Sequence, residues 1–318
     1  MKKNAILAAG GLALFVFVLA RIGWVPQMKA IWTGLPAILA LSCLRLLMQT
    51  GSWATALRAE GAEASTWSLM GIRLSAQGAG YISIFGPVLS EPMKIRLLGN
   101  SDSVAVATLA DTGVYWFASS LFGVFGCLAA AFLLSHTRGG AIALVILSAV
   151  FVAGLVLIAR EKPLLLPLIR RLGDRCPNWL RRSGELEASL RSFGSRHPGA
   201  IRKMFWLDIG CQLLLAAEVV AVLWVLRIPF HAGTIFAFEA ANRAVKMLTG
   251  WMPARIGADE GASAGLFAAL GLASGSGLAL ALTRRSRDLL CCAVGFAWLT
   301  WHAGFETSQW GEGLPCKP

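Results

Sequence analysis

The sequence predicts an all-α polytopic membrane protein with about seven spanning helices, two re-entrant broken hairpins and an inverted-topology repeat. Three observations lead there. Only 14% of the 318 residues are charged while 56% are hydrophobic, whereas a soluble domain carries about a quarter charged residues. The apolar residues come in blocks near the ~20 positions that one helix needs to cross a bilayer core. Strict alternation of apolar and polar residues is absent, which argues against an outer-membrane barrel.

The elements follow in order. Lys2-Lys3 precedes an apolar run from Ala5 to Ala20, but Val18-Leu19-Ala20 leads directly into Arg21 without a small-x-small cleavage site. The run is therefore expected to stay as a first helix, with the N-terminus in the cytoplasm of a bacterial-type inner membrane. Spanning helices are expected at roughly 5–20, 31–57, 103–134, 140–159, 204–226, 261–282 and 288–304. This divides the chain into an anchor helix (1–30), a first membrane repeat (31–159), a basic cytoplasmic loop (160–203), a second membrane repeat (204–304) and a tail (305–318). Trp24, Trp32, Trp251, Trp301 and Trp310 fall where interfacial anchors belong.

The net charge of +12 is concentrated in connections, as cytoplasmic loops of membrane proteins require. No nucleic-acid motif accompanies it. The 160–203 loop holds eleven Lys or Arg against four acids. Its arginines Arg170, Arg171, Arg175, Arg181 and Arg182 read either as a topology signal or as a seat on anionic lipids. A short amphipathic helix is expected from Ser183 to Leu190. Arg284, Arg285 and Arg287, like Lys94 and Arg96, are expected in cytoplasmic connections.

Two segments, 67–98 and 232–258, are too polar to face lipid. Placing all the basic connections inside makes the first enter from the cytoplasm and the second from the opposite side. Irregular backbone at membrane depth is tolerated only beside protein or a wet cavity. Opposite entry therefore implies a polar cavity between two inverted halves. Pro87 and Glu91 echo Pro253 and Glu260, while Leu98-Gly99 and Asp111 echo Leu270-Gly271 and Asp288.

The candidate residues lie mostly on these segments. In Gly86-Pro-Val-Leu-Ser-Glu-Pro-Met-Lys-Ile-Arg96, a Gly-Pro break is followed by Glu91, Lys94 and Arg96. Glu91 and Lys94 stand at i,i+3 and can pair on a helix. The stretch reads as a solvated cap, or as a place where Lys94 and Arg96 receive a lipid phosphate. In the second segment Glu239, Asn242, Arg243 and Lys246 share one helix face. That stripe marks a wet cavity or an internal ion-pair network, with Glu239 pairing to Arg243. Arg255 follows, and Asp259 and Glu260 open a small-residue helix whose dipole they complement.

Arg45, Asp208 and Glu218 lie within expected spans and should face the interior, although Asp208 is near enough to the basic loop to snorkel to the interface. The seven cysteines (Cys43, Cys127, Cys176, Cys211, Cys291, Cys292, Cys316) show neither CxxC nor metal-ligand spacing. His136, His197, His231 and His302 lack metal spacing as well. No nucleophile elbow, phosphate loop, dinucleotide fingerprint or zinc motif is present. No catalytic residue, metal or cofactor is expected. Gly10-Gly11, Gly123, Gly265, Gly271, Gly275 and Gly277 are expected to serve close helix packing.

At 81–99 and 251–288 the chain resembles the flippase-like transmembrane region of lysylphosphatidylglycerol synthases. The resemblance rests on Pro87, Glu91 and Arg96 before Leu97-Leu98, then Pro253, Gly257 and Glu260 before a helix ending in Arg285 and Asp288. Family members usually carry a Gly-Gly-Glu-like step where this chain has Leu89-Ser90-Glu91-Pro92. The resemblance implies handling of lipids with polar head groups, with no ATPase site. It also implies that this chain, ending at Pro318, lacks the separate aminoacyl-transfer domain and its activity.

The leading expectation is a translocator of an anionic or polyprenyl-linked lipid. Lys94, Arg96, Asn242, Arg243, Lys246 and Arg255 would bind the head group, while Glu91, Glu239, Asp259 and Glu260 would gate or couple protons. The competing expectations are an accessory subunit of envelope or hopanoid lipid assembly and a membrane-embedded lipid transferase. Expected partners are membrane lipids, with homo-oligomerisation open and nucleic acid excluded.

Overall fold

Among the described residues the chain is helical, with no strand. The computed structural model describes residues 25–83, 87–134, 148–149, 151–153, 178–249, 252 and 255–309. The expected first span at 5–20, most of 140–159, the first part of the basic loop, and Gly86 and Pro253 at the two expected breaks lie outside them. The helices are α1 (Val25–Ala59), α2 (Thr66–Ile82), α3 (Pro87–Leu97), α4 (Asp102–Leu134), α5 (Asn178–Arg196), α6 (Pro198–Val225), α7 (Ala232–Leu248), α8 (Ala258–Ala269) and α9 (Ser274–Gln309).

Local chemistry sets the ends of these elements. Ser65 caps α2 by accepting the Ser68 N–H at 3.1 Å, satisfying one of the free donors of a helix start. Gly99 ends α3 and Gly271 ends α8, each in the left-handed region with φ of 114° and 75°, where glycine carries no Cβ penalty. The Leu-Gly echo noted in the sequence is thus a matched pair of helix stops. Gly271 serves this turn rather than close packing. Glu260, in the first turn of α8, reaches back to accept the Gly257 N–H at 2.9 Å.

The same order of lengths occurs twice. Helices of 35, 17, 11 and 33 residues (α1 to α4) are matched by helices of 28, 17, 12 and 36 residues (α6 to α9). The packing is reciprocal. α1 lies along α6, α2 packs on α9, and α7 packs on α4. Small residues permit both crossed contacts. A Cβ on Gly126 of α4 would come within 2.4 Å of the Phe236 carbonyl of α7, and one on Gly295 of α9 within 2.6 Å of the Leu74 backbone of α2. Ser75 Oγ also donates to the Gly295 carbonyl at 2.7 Å.

Two apolar clusters flank a polar middle. One gathers Trp53, Leu57, Leu69, Ile72, Phe193 and Met204. The other gathers Ile38, Phe122, Val219, Phe238, Phe267 and Leu280. The expected amphipathic helix in the basic loop is α5, and its Leu186, Leu190 and Phe193 pack on the first cluster. Three stretches among the described residues, Trp32–Ala59, Asp102–Ala129 and Pro198–Val225, are long and apolar enough to cross a membrane. They correspond to the spans expected at 31–57, 103–134 and 204–226.

The C-terminal third differs from expectation. In place of spans at 261–282 and 288–304 there is one short helix, α8, and one continuous 36-residue helix, α9. Arg284 and Arg287 sit in the middle of α9, 7% and 4% exposed, not in an aqueous connection. They are buried because acidic side chains from other helices meet them. Among the glycines, a Cβ on Gly277 would come within 2.3 Å of the Ser263 carbonyl and one on Gly123 within 2.6 Å of Phe151, so these two do serve packing. Gly265 faces open space and does not.

Candidate functional site

Three ion-pair networks occupy the polar middle. The largest joins α6, α7 and α9. Arg284 donates to Glu218 at 3.1 Å and to Glu239 at 2.8 Å, and Arg287 donates to both Glu218 oxygens. Ser42 of α1 adds a hydrogen bond to Glu218 at 3.0 Å. Arg287 also holds its neighbour Asp288 at 2.7 Å. Buried charges persist only when partnered and hydrogen-bonded in this way.

The second network belongs to the first half. Arg73 of α2 pairs with Asp111 of α4, both buried. Lys94 pairs with Glu91 at 2.8 Å, and Thr112 donates to the other Glu91 oxygen at 2.9 Å. Trp53, fully buried, places its ring 5.7 Å from the Arg73 guanidinium and 5.9 Å from the Lys94 ammonium, while its Nε1 donates to Thr108 at 3.0 Å. An indole face offers such cations a favourable quadrupole. The third network ties α8 to α9 through Arg285 and Glu260 at 2.6 Å, with Arg255 and Asp259 at 3.2 Å beside it.

Between these networks lies a cavity of about 340 Å³. Its cations are Arg45, Arg73, Lys94, Lys246, Arg255 and Arg287, and its acids are Glu91, Asp111, Asp208 and Asp288. The chain has only two tyrosines, and both, Tyr81 and Tyr115, line this cavity. A side recess of about 20 Å³ continues toward Asn242, Asp259 and Arg285.

The structure sorts the residues singled out in the sequence. Glu91, Lys94, Lys246 and Arg255 line the main cavity, and Asn242 and Asp259 line the recess. Arg96 is exposed at the end of α3, away from the cavity wall. Arg243 is buried outside it, donating to the Ser119 carbonyl at 3.0 Å and to Gln212 at 2.7 Å. Glu239 lies closer to Arg284 (2.8 Å) than to the expected Arg243 (3.9 Å). Glu260 serves the α8 start and Arg285.

Asp208 does not snorkel. It is 1% exposed and accepts from Ser52 at 3.4 Å, because its turn of α6 lies against α1 rather than at the edge. Arg73, Asp111 and Tyr115 escaped selection as site residues. The signals available were an arginine on a small-residue helix and the scarcity of tyrosine.

Long apolar helices around a charged, partly water-sized interior define a multi-pass helical membrane protein. The family described as the lysylphosphatidylglycerol synthase TM region matches residues 5–295, and the chain belongs to that family. Neither a curated protein nor a solved structure gives a significant match.

Proposed function

We propose that the protein is a lipid translocator, carrying an anionic or polyprenyl-linked head group through the membrane interior while the acyl or prenyl chains stay in lipid. The observation that carries this reading is the cavity of about 340 Å³, whose wall holds six basic residues and four acidic ones among long apolar helices. A charged head group cannot enter hydrocarbon unaided without a large desolvation cost. Water-accessible cationic walls replace that lost solvation. The doubled helix order and the crossed packing of α2 on α9 and α7 on α4 support two inverted halves whose broken segments enter from opposite sides.

In this reading Lys94, Lys246 and Arg255 face the head group directly and Asn242 faces it from the recess. Arg243 supports the wall, and Arg96, exposed at the end of α3, stands apart from it. Glu91, Glu239, Asp259 and Glu260 hold the broken segments in place. The protein has no role as an enzyme here, sits in a bacterial-type inner membrane and keeps its N-terminus inside. The test is leaflet exchange in proteoliposomes, following fluorescent phosphatidylglycerol with and without the protein. Acceleration is expected. No acceleration across several anionic and polyprenyl lipids, with folded protein, would sink the reading and favour an accessory subunit.

A further inference from the structure

Most cations on the cavity wall are already engaged. Arg73 is held by Asp111, Lys94 by Glu91, Arg255 by Asp259, and Arg287 by Glu218 and Asp288. Two are different. Arg45 of α1 and Lys246 of α7 make no ion pair within 4.0 Å among the described residues, although both line the same cavity. The Arg45 Nε is buried and has no hydrogen-bond acceptor among the described residues. Asp288, already clamped by Arg287, lies within electrostatic reach of both.

Both side chains are half-buried, and a cation that makes no direct ion pair keeps its donors available to an arriving anion. Recruiting a paired cation would mean breaking a buried pair first. Recruiting Arg45 and Lys246 breaks no ion pair among the described residues. Arginine supplies a fork of donors that suits phosphate oxygens, and lysine supplies a mobile point charge. The phenols Tyr81 and Tyr115 stand on the same wall as further donors. The volume of about 340 Å³ is ample for a phosphate together with the polar groups it carries, as in small-ligand pockets generally.

We infer that Arg45 and Lys246 together form the seat for the phosphate group of the carried lipid, one cation from each half of the molecule. This rests on the translocator reading. The shared chemistry is a lipid phosphate, of which a glycerophospholipid and a polyprenyl phosphate are the two sources. The seat assigns Arg45 a binding role and moves phosphate recognition away from Lys94 and Arg96. Because α1 and α7 belong to different halves, any rocking of one half on the other would change the spacing of the two cations. Such a change would load or release the phosphate.

The test uses the full chain in vesicles, in three arms containing fluorescent phosphatidylglycerol, a polyprenyl phosphate, or zwitterionic phosphatidylcholine. Arg45→Gln and Lys246→Gln are each expected to slow exchange of the preferred phosphate lipid by ~10-fold or more, the usual loss on removing a charge-assisted hydrogen bond. Arg58→Gln, exposed and outside this cavity, should match the unaltered protein. The first two arms show which lipid is the source. A second measurement needs no variant to fold. Short-chain phosphatidylglycerol and inorganic phosphate are titrated against the thermal stability of the purified unaltered protein, then of whichever variants fold. Exchange that persists unchanged in a folded Arg45→Gln or Lys246→Gln protein overturns the seat and leaves the translocator reading intact. Absence of exchange in the unaltered protein sinks the translocator reading. In that case stabilisation by phosphate ligands, lost in a variant, still upholds the seat, and no stabilisation overturns it too.

Discussion

Arg287 of α9 donates to both carboxylate oxygens of Glu218 of α6, at 2.6 and 2.7 Å. Arg284, one turn earlier, reaches the same carboxylate and extends the link to Glu239 of α7. Two buried acids, Glu218 and Glu239, therefore fasten the long charged helix of the second half to two of its neighbours. Together with Glu260, which pairs with Arg285, they allow Arg284, Arg285 and Arg287 to stand within a helix rather than in an aqueous connection.

Removing Glu218 leaves Arg284 to Glu239 and Arg287 to Asp288. Glu218→Ala is expected to destabilise the protein by up to about 3–5 kcal/mol, the range for breaking a buried ion pair. Glu218→Gln keeps an acceptor and should cost less. Thermal unfolding in detergent gives the ranking, and an alanine variant as stable as the parent would contradict the role assigned to the network.

Close packing of α9 on α2 depends on Gly295. A Cβ there would meet the Leu74 and Ser75 backbone, at 2.6 and 2.8 Å, and backbone cannot yield as a flexible side chain can. Gly295→Val should cost ~1–3 kcal/mol through overpacking. Gly265→Ala, with nothing within 4 Å, should be neutral or gain ~0.5–1 kcal/mol as a helix-interior replacement. Equal stability of the two variants would mean the α2–α9 contact is looser than described.

The helix α5 is held to the bundle by its buried face. Phe193→Ala, at a site 1% exposed, should cost about 3–5 kcal/mol, as large aromatic truncations do. Hydrogen exchange should rise first across 178–196 if α5 comes away as a unit. Protection unchanged in that segment would show that the basic flank, not the apolar face, anchors it.

Two carboxylates test the proposed function as well as the fold. Glu91→Gln leaves Lys94 facing a neutral acceptor, and Glu260→Gln keeps the acceptor for the Gly257 N–H while removing the charge opposite Arg285. Each variant is expected to insert and fold, at a cost of ~1–3 kcal/mol, yet to impair leaflet exchange. Full exchange in both would take these carboxylates out of the mechanism.

Much of the frame was legible along the chain. The apolar blocks at 31–57, 103–134 and 204–226 correspond to α1, α4 and α6, because hydropathy over such lengths reports burial in lipid or protein directly. The end of one helix and the start of another within 67–98 were legible too, since proline acts on local backbone, whereas the helix stop at Gly271 went unread inside the span expected at 261–282. Arg284 and Arg287 were misplaced for the opposite reason. Hydropathy scores a charge as though water were its only partner, whereas Arg284 finds Glu218 and Glu239 at sequence separations of 66 and 45 residues. Asp208 was misread in the same way, by its nearness in sequence to the basic loop.

Composition by itself determined that this is a helical membrane protein with a charged interior, because charge scarcity and apolar block length depend on no contact between distant residues. Only the tertiary structure decided which charges cancel and which remain. Arg73, Lys94 and Arg287 are neutralised by partners from the fold, while Arg45 and Lys246 are left facing the cavity without an ion pair among the described residues. Electrostatic pairing acts through a few ångströms of space, and the chain order carries no measure of that distance.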